Sequence, residues 1–366
     1  KIMLKFKRAI IMVFFMYLGS IINANAQKNN SFLIQGHITN YKNTELKIGA
    51  GKELILFTKD KVEIDKLGDF KCWVPNLNTM GYVSLTYGEE FSINFYVNNS
   101  DSIRIDWSDQ NPTKTLKISA NNDVIDYATI NWLNKSAEFG TKDFALDSTK
   151  TIEDYLSKIK AKHKEENEIL KTIGFVDTTS FYDQYATDIF YKNLSLIINS
   201  NFYREIDFSR IDPSRSFPPV VLYNHSFYSK LDSNYKYLLN ANPTMDTNLI
   251  LRRSFGQTER NFINTYHIIN NILHFEKSFE FRKFIDNYFN LLFKEIYYRG
   301  LITDLMPKTY LKWLNSLKIH PKMIDWLYAV KCEKEIANYN ISSKDELYKE
   351  INDIKSTRLQ NELLLK

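Results

Sequence analysis

The chain has 366 residues, with 48 Lys and Arg against 43 Asp and Glu, which gives a formal net charge of +5. Four of the basic residues and none of the acidic ones lie in residues 1–26, so residues 27–366 keep 44 basic residues and a net charge of about +1. This balance excludes a nucleic-acid partner, which requires a clustered basic face. The chain is long enough for two domains, each with a core of its own.

The first residues have the order of a secretory signal peptide. Lys5, Lys7 and Arg8 precede an apolar run, AIIMVFFMYLGSII (9–22), and small residues follow it in ANA (24–26). We therefore predict cleavage after Ala26 and a periplasmic or secreted protein. The apolar run is shorter than the roughly 18 to 20 residues that span a bilayer, so no membrane span is predicted after cleavage.

Residues 27–120 are predicted to form an antiparallel β domain. The segments are short, rich in β-branched and aromatic residues, and separated by turn residues such as Gly68 and Gly88. The predicted strands are 32–40, 45–51, 53–58, 61–65, 69–74, 81–87, 90–97 and 102–107. Many short strands at close spacing are typical of an antiparallel sandwich or an open barrel.

From residue 121 the apolar pattern becomes helical, and residues 121–366 are predicted to form a mostly α-helical domain. The predicted helices are 151–172, 180–203, 220–240, 258–275, 279–299, 308–317, 321–338 and 343–365. In segment 279–299 the apolar residues recur at spacings of three and four, at Phe281, Phe284, Ile285, Tyr288, Leu292 and Ile296. The chain is therefore predicted to have an α+β fold in which the strands come first.

The two cysteines, Cys72 and Cys332, are predicted to be free thiols. They fall in different predicted domains, and neither belongs to a C-x-x-C motif, so no redox dithiol is predicted. A disulfide between them stays open as the alternative, because the predicted compartment is oxidising.

The strand that contains Cys72 alternates between two faces. Alternation places Cys72 with Phe70 and Val74 on one face and puts Lys71 and Trp73 on the other. A thiol between two apolar neighbours behaves as a small hydrophobic residue, so we interpret Cys72 as a core residue of the strand.

Histidine spacing does not indicate a metal site. Only His267 and His274 share a predicted helical face, and they are seven positions apart, which is two turns or about 10 Å along a helix. Two ligands at that separation cannot chelate one ion, and nothing nominates a third. We predict ordinary packed or solvated histidines.

No other pattern predicts catalysis. HKEENE (163–168) holds Glu165, Glu166 and Glu168, but successive helical residues diverge by about 100°, so we predict a solvated charged face with Lys162 paired to Glu166. No serine-hydrolase, zinc-protease or phosphate-binding glycine motif occurs. We therefore predict no catalytic residue, no cofactor and no metal. An independent hydrolase is the least favoured function, because no nucleophile and base can be named.

The five tryptophans are scattered along the sequence, at Trp73, Trp107, Trp132, Trp313 and Trp326. We predict that each is a core or domain-packing residue. A glycan-binding platform is the alternative, but no strand face carries two or three aromatic residues with polar partners.

Two short motifs of the predicted β domain carry a family resemblance. FLIQGHITN contains the pattern G-x-I-x-N at Gly36 and Asn40, and KVEIDKLGDFKCWV contains G-x-F at Gly68 and Phe70. These motifs resemble the β-rich N-terminal domain of unknown function that precedes the thioredoxin module in TlpA-like thiol-disulfide oxidoreductases of Gram-negative bacteria. ISANNDVIDYATINWLNK resembles the change to helices, although Ala120 stands where the family often has glycine. TTSFYDQYATDIFYKNLSLI and KSFEFRKFIDNYFNLL resemble the family's helical spacer.

The resemblance implies a non-catalytic exported region that positions a thioredoxin module in cis or that module's protein or peptide client. In the family the spacer leads into W-C-x-x-C, where a lowered thiol pKa makes one cysteine the attacking thiolate. Here STRLQNELLLK (356–366) stands at that place, so we expect the reading frame to continue past Lys366 into W-C-x-x-C. Disulfide reductase activity is expected only with that module. The alternative function is a stand-alone periplasmic or cell-surface binding or scaffold protein for a peptide, glycan or protein partner.

Overall fold

The computed structural model divides the chain into two compact units, residues 1–141 and 142–366. It describes residues 31–54, 56, 59–75, 80–88, 91–97, 102–120, 151–172, 182–199, 204–207, 220–223, 270–298, 302–317, 319–338 and 344–365. The predicted signal peptide and the predicted boundary at 121 lie outside these residues. The described parts of the two units are called the β unit and the helical unit below.

The β unit consists of two four-stranded sheets with the strand orders β4-β1-β7-β8 and β3-β2-β5-β6. The strands are β1 (Ser31–Thr39), β2 (Leu46–Gly49), β3 (Asp60–Val62), β4 (Asp69–Pro75), β5 (Tyr82–Tyr87), β6 (Phe91–Tyr96), β7 (Ser102–Ser108) and β8 (Lys117–Ala120). Both sheets contribute to one apolar core, with Phe32, Ile34 and Ile105 from the first sheet and Leu85 and Phe95 from the second. This confirms the predicted α+β fold with a sandwich-like β domain first.

One pair of strands runs in parallel. β1 and β7 pair with Leu33 opposite Ser102 and Gln35 opposite Arg104, whereas the other ladders of the β unit are antiparallel. Side-chain alternation is the same in parallel and antiparallel strands, so the sequence pattern does not reveal this pairing. The pairing places β1 in the interior of its sheet, between β4 and β7.

The predicted strand 53–58 is not a strand at its described residues, Glu53, Leu54 and Leu56. Leu54 is fully buried, so its apolar character reflects burial outside a β ladder. In the described part of the β unit, two elements were not predicted: strand β8 and the short helix α1 (Pro112–Thr115), which Asn111 caps by accepting a hydrogen bond from the backbone of Lys114.

The helical unit contains eight further helices among its described residues. They are α2 (Ile152–Thr172), α3 (Tyr182–Asn199), α4 (Ile272–Lys277), α5 (Phe279–Tyr298), α6 (Pro307–Ser316), α7 (Pro321–Ala337), α8 (Lys344–Ile351) and α9 (Thr357–Leu364). The unit also contains an antiparallel strand pair, β9 (Arg204–Asp207) and β10 (Val220–Tyr223). The predicted helix 220–240 is therefore wrong at its start, where VVLY is rich in β-branched residues, and its remainder lies outside the described residues.

Helices α5 and α7 supply much of the described helical core. The predicted apolar face of α5 is buried at five of its six positions, and the burial of the sixth, Ile296, lies outside the described part. Phe289 and Phe293 are buried as well, so the face is wider than predicted. In α7 every residue from Trp326 to Val330 is buried, which is the pattern of a helix packed on several sides.

The predicted helix 343–365 is two helices. The backbone N–H groups of Lys355 and Ser356 donate to the carboxylate of Asp325 on α7, at 2.8 and 2.7 Å, which fixes a break between α8 and α9. Ser356 then caps α9 by accepting from the backbone of Leu359. The break depends on a residue distant in sequence, so the local pattern did not reveal it.

Candidate functional site

Gly36 lies on β1 directly beside Ile105 of β7. A β carbon added at Gly36 would lie 1.8 Å from the carbonyl oxygen of Ile105 and 2.6 Å from the Phe70 ring, so only glycine fits. The Phe70 ring packs against Trp107, with ring centroids 5.5 Å apart. The glycine and the phenylalanine of the two resemblance motifs therefore meet in one junction.

The other motif residues form turns beside this junction. Gly68 has a φ of 92°, its carbonyl oxygen accepts from the backbone of Ile38 at 2.9 Å, and an added β carbon would lie 2.2 Å from the Ile38 carbonyl oxygen. Asn40, directly after β1, has a φ of 60°, a conformation that asparagine tolerates better than most residues. Asp65 closes the β3–β4 turn by accepting from the backbone of Asp69 at 2.9 Å. The motif residues thus have structural roles in the β unit.

The side of the first sheet that points away from the core is the candidate site, and we call it the outer face. Strand register arranges its side chains in three rows that cross β4, β1 and β7. They are an apolar row of Trp73, Leu33 and Ser102, a basic row of Lys71, Gln35 and Arg104, and an acidic row of Asp69, His37 and Asp106. Each of these three strands contributes one residue to each row.

Carboxylates in the acidic row have partners within the outer face. Asp69 Oδ1 lies 3.0 Å from His37 Nδ1, and Asp106 Oδ1 accepts from the backbone N–H of His37 at 2.8 Å. Arg104 Nε donates to Asp106 Oδ2 at 2.8 Å, and this hydrogen bond raises the pKa of Arg104. Asp106 therefore orders the Arg104 side chain, and Arg104 neutralises part of the negative charge of the acidic row.

The basic row retains hydrogen-bonding capacity. Lys71 Nζ lies 5.7 Å from the centre of the Trp73 ring, and within the part of the chain that the structure describes it forms no ion pair. Among the same residues the carboxamide of Gln35 has no hydrogen-bond partner. Arg104 pairs with Asp106 through Nε, and its terminal N–H groups have no hydrogen-bond partner among the described residues. Lys71, Gln35 and Arg104 thus present donors to solvent side by side.

An open depression of about 520 Å³ lies over the basic row. Glu63 and Asp65 of the β3–β4 segment form part of its rim. The full lining consists of Gln35, Gly36, Glu63, Ile64, Asp65, Asp69, Phe70, Lys71 and Arg104. The depression has charged walls of both signs, so it suits a small polar group better than an extended polyanion.

Both cysteines are free thiols, as predicted. Cys72 is partly buried and packs against the core with Phe70 and Val74, which confirms its predicted face. Burial raises the pKa of Cys72, and burial raises the pKa of Cys332 to about 12. A thiol with a raised pKa carries little thiolate at neutral pH, so neither side chain has the electrostatics of an attacking nucleophile.

His274 is a packed histidine. Its Nδ1 lies 2.9 Å from the hydroxyl of Tyr191, and burial lowers the pKa of His274 while it raises that of Tyr191. His267 lies outside the described residues.

Glu166 is not on a solvated face, so that prediction is wrong for this residue. It is 4% exposed and lies between α2 and α3, where Lys162 Nζ is 2.7 Å from Oε1 and Asn193 Nδ2 donates to Oε2 at 3.0 Å. Burial acts to raise the pKa of Glu166, but Lys192, Lys162 and Asn193 together hold it below its usual value. The predicted Lys162–Glu166 pair is confirmed, and Glu168 is exposed as expected.

The tryptophans differ in their burial. Trp107 and Trp326 are buried core residues, as predicted, and Trp313 is half-buried. Trp73 is 44% exposed on the outer face, so it is not a core residue of the β unit, and its alternative role in domain packing stays a prediction. Trp132 lies outside the described residues.

A second cluster of ionisable groups joins α5 and α7. Lys334 Nζ donates to both carboxylate oxygens of Asp286, at 2.9 and 2.8 Å, and Asn290 Nδ2 donates to Oδ1 at 2.8 Å. Burial raises the pKa of Asp286, and burial raises that of the enclosed Tyr310. Asp286 is buried, Lys334 is half-buried, and the pair spans two core helices, so we assign it a structural role.

The described residues contain no group of three or more His, Cys, Asp or Glu side chains that could hold a metal ion. None of their helices combines the length and the apolarity needed to cross a membrane.

Comparison with known proteins adds no family assignment. No protein-family model matches the sequence, and no curated protein matches it either.

Sequence reasoning did not find the basic row, which is the part of the outer face with open donors. Alternation in β4 already placed Lys71 and Trp73 on one face. Gln35 and Arg104 join them only through the register of β1 with β4 and β7. The available signal was a run of polar residues at alternate positions in β1 and β7.

Proposed function

We propose that this chain is the non-catalytic exported region of a TlpA-like thiol-disulfide oxidoreductase, where it positions a thioredoxin module or that module's client. The protein is proposed to act in the periplasm or outside the cell, after removal of residues 1–26. Disulfide chemistry belongs to the module, and the two units described above supply placement.

The observation that carries this proposal is the junction of the motif residues. Gly36 of β1 lies opposite Phe70 of β4, and Gly68, directly before β4, packs against Ile38 of β1. Both glycine positions have a steric reason for their residue type. Motifs that are explained by packing are expected to recur in proteins with the same β domain, and this supports the resemblance on which the proposal rests.

The two thiols are compatible with a function in which disulfide chemistry takes place in a separate thioredoxin module. Cys72 and Cys332 are held as thiols by burial, so a redox partner with its own low-pKa cysteine is required for disulfide exchange.

The first test is the coding sequence after Lys366. We expect it to continue into a thioredoxin-like segment with W-C-x-x-C, and a stop codon directly after Lys366 would contradict the proposal. The second test compares insulin reduction by residues 27–366 with that by the longer protein. We expect turnover only in the longer protein and its loss when the first cysteine of W-C-x-x-C is replaced by serine.

The outer face favours a second candidate, a stand-alone periplasmic or cell-surface binding protein. The observation behind it is the open depression, where the donors of Lys71 and Gln35 have no hydrogen-bond partner among the described residues. This candidate predicts a native stop codon after Lys366 together with ligand binding by the chain itself, so the same sequencing experiment separates the two functions.

A further inference from the structure

The rows of the outer face have the spacing of an extended peptide. Successive rows are two residues apart along each strand, which corresponds to about 6.6 to 6.8 Å. Side chains i and i+2 of an extended peptide are separated by the same distance and point to the same side. A peptide that lies along the strand direction can therefore place one side chain over each of two neighbouring rows.

The unused hydrogen-bonding and apolar surfaces occupy neighbouring rows. Among the described residues, Lys71 forms no ion pair, and the carboxamide of the neighbouring Gln35 has no hydrogen-bond partner. Arg104 is held in place by Asp106 and keeps its terminal N–H groups. The next row offers the exposed ring of Trp73 opposite Leu33. One row thus suits a carboxylate, and the adjacent row suits an apolar side chain.

The surrounding charges restrict the partner. Glu63, Asp65 and Asp69 line the same depression as Lys71 and Arg104. They would repel the successive phosphates of a nucleic acid or an anionic membrane, whereas a single carboxylate fits between the two cations. This pattern of charges favours a peptide with an isolated acidic residue.

We propose that the outer face binds an extended peptide in which an apolar residue and an acidic residue are separated by one residue. The carboxylate lies over Lys71, Gln35 and Arg104, and the apolar side chain lies against Trp73 and Leu33. This inference deepens the proposed function, on which it rests in taking the peptide to be part of a client protein.

The test measures the affinity of residues 27–366 for two peptides by isothermal titration calorimetry. The peptides are acetyl-SFSES-amide and acetyl-SFSQS-amide, which differ only in the charge of one side chain. We expect the first to bind at least about fivefold more tightly, because a hydrogen-bonded ion pair in a partly enclosed site exceeds a neutral hydrogen bond. Raising the salt concentration is expected to reduce this ratio.

Matched variants locate the effect. We expect Lys71→Gln to remove the preference for the glutamate peptide, and Lys61→Gln to keep it, because Lys61 is an exposed lysine on β3 of the other sheet. Trp73→Ser is expected to lower the affinity for both peptides by a similar factor and to leave the ratio of the two affinities unchanged. Circular dichroism checks that each variant keeps the wild-type fold.

Three results would overturn the inference: equal binding of the two peptides to the wild type, a preference that survives Lys71→Gln, or tighter binding to oligo(dT) or to anionic phospholipid vesicles than to the glutamate peptide. Failure of the peptide site can be distinguished from failure of the proposed function. A W-C-x-x-C after Lys366 without peptide binding refutes only the peptide site, and peptide binding with a stop codon there refutes only the redox assignment.

Discussion

Local packing and backbone conformation explain the residue type at three positions of the two short motifs, Gly36, Gly68 and Asn40. Gly36 is fixed by the space between β1 and Ile105, and Gly68 by both its positive φ and the nearby Ile38 carbonyl. Asn40 occupies a left-handed turn position. None of the three has a chemical role in the described structure, so their effect is expected on stability.

We predict that Gly36→Ala lowers the free energy of unfolding of the β unit by about 3 kcal/mol, because the added methyl group can be placed only if the backbone moves. The control is Gly88→Ala, where φ is 61° but the nearest atom is a side-chain methyl carbon of Thr44 at 3.2 Å. Gly88→Ala is expected to lower the free energy of unfolding by about 1 kcal/mol, from backbone strain alone. Amide hydrogen exchange in β1 and β7 measures both, and similar effects of the two substitutions would refute the steric explanation.

The thiols give a second prediction at this scale. In the native chain at pH 8, Cys332 is expected to be inert to a thiol reagent and Cys72 to react slowly, whereas the unfolded, non-reduced chain should show two thiols. The pKa of Cys332 is about 12 when folded against 9.0 for an exposed thiol. The unfolded state therefore loses its proton first, and from pH 9 towards 12 the free energy of unfolding falls by up to about 1.4 kcal/mol per pH unit.

Denaturation of Cys332→Ala over the same pH range provides the comparison. Its free energy of unfolding is expected to fall less steeply than that of the wild type. Parallel pH profiles, or no thiols in the unfolded monomer, would contradict this account of Cys332.

At the scale of elements, helices α5 and α7 are joined by an ion pair with a buried carboxylate, which their separate sequences do not reveal. Asp286 and Lys334 are 48 positions apart, and only the packing of the two helices brings them within 2.8 Å. Removal of one partner leaves the other charge in a poorly solvated place, which is costly.

We predict that Lys334→Met destabilises the helical unit by about 3 kcal/mol at pH 7. Lys334 lowers the pKa of Asp286 against the effect of burial, so its removal raises that pKa further above the usual 3.8. A carboxyl with a raised folded pKa destabilises the fold as the pH rises through that pKa, so the deficit should shrink towards pH 4. Urea denaturation at pH 4, 5.5 and 7 measures it.

Two controls sharpen this experiment. Adding Asp286→Asn to Lys334→Met should recover much of the lost stability, because the unpaired carboxylate is removed. Lys164→Met breaks an exposed pair with Glu168 and is expected to cost less than about 0.5 kcal/mol. A deficit in Lys334→Met that does not depend on pH would show that Asp286 is not its cause.

The element boundaries show where local patterns suffice. The helix predicted at 279–299 is observed at Phe279–Tyr298, because its apolar spacing and its burial have the same cause. The predicted helix 343–365 has a break that is held by Asp325 of another helix, and no pattern within the segment predicts it. Local periodicity therefore predicted which face is buried, but not where a distant side chain interrupts a helix.

At the scale of the whole molecule, the N-terminal residues give a prediction about export. Expressed with residues 1–26 in a Gram-negative host, the protein is expected in the periplasm with Gln27 as its first residue, which N-terminal peptide mass spectrometry measures. Ala26→Leu should block cleavage, because signal peptidase sites require small residues. Retention of residues 1–26 in the wild-type protein would contradict this prediction.

The candidate site was accessible to sequence reasoning only in part. Strand alternation correctly assigned Cys72 to the core and Lys71 to the opposite face. The basic row requires in addition that Gln35 pairs with Lys71 in an antiparallel ladder and with Arg104 in a parallel one. The residues of these pairs are 36 and 69 positions apart, and a single sequence carries no information on such register.

The sequence by itself determined the α+β order, most of the strands and helices that the structure describes, and the apolar faces of β4 and α5, because these depend on the period with which apolar residues recur. Only the tertiary structure decided that β1 pairs in parallel with β7, that Glu166 is buried, and that Lys71, Gln35 and Arg104 form one row. Each of these depends on contacts between residues far apart in the chain, where packing and register are decided by the whole fold and not by the local pattern.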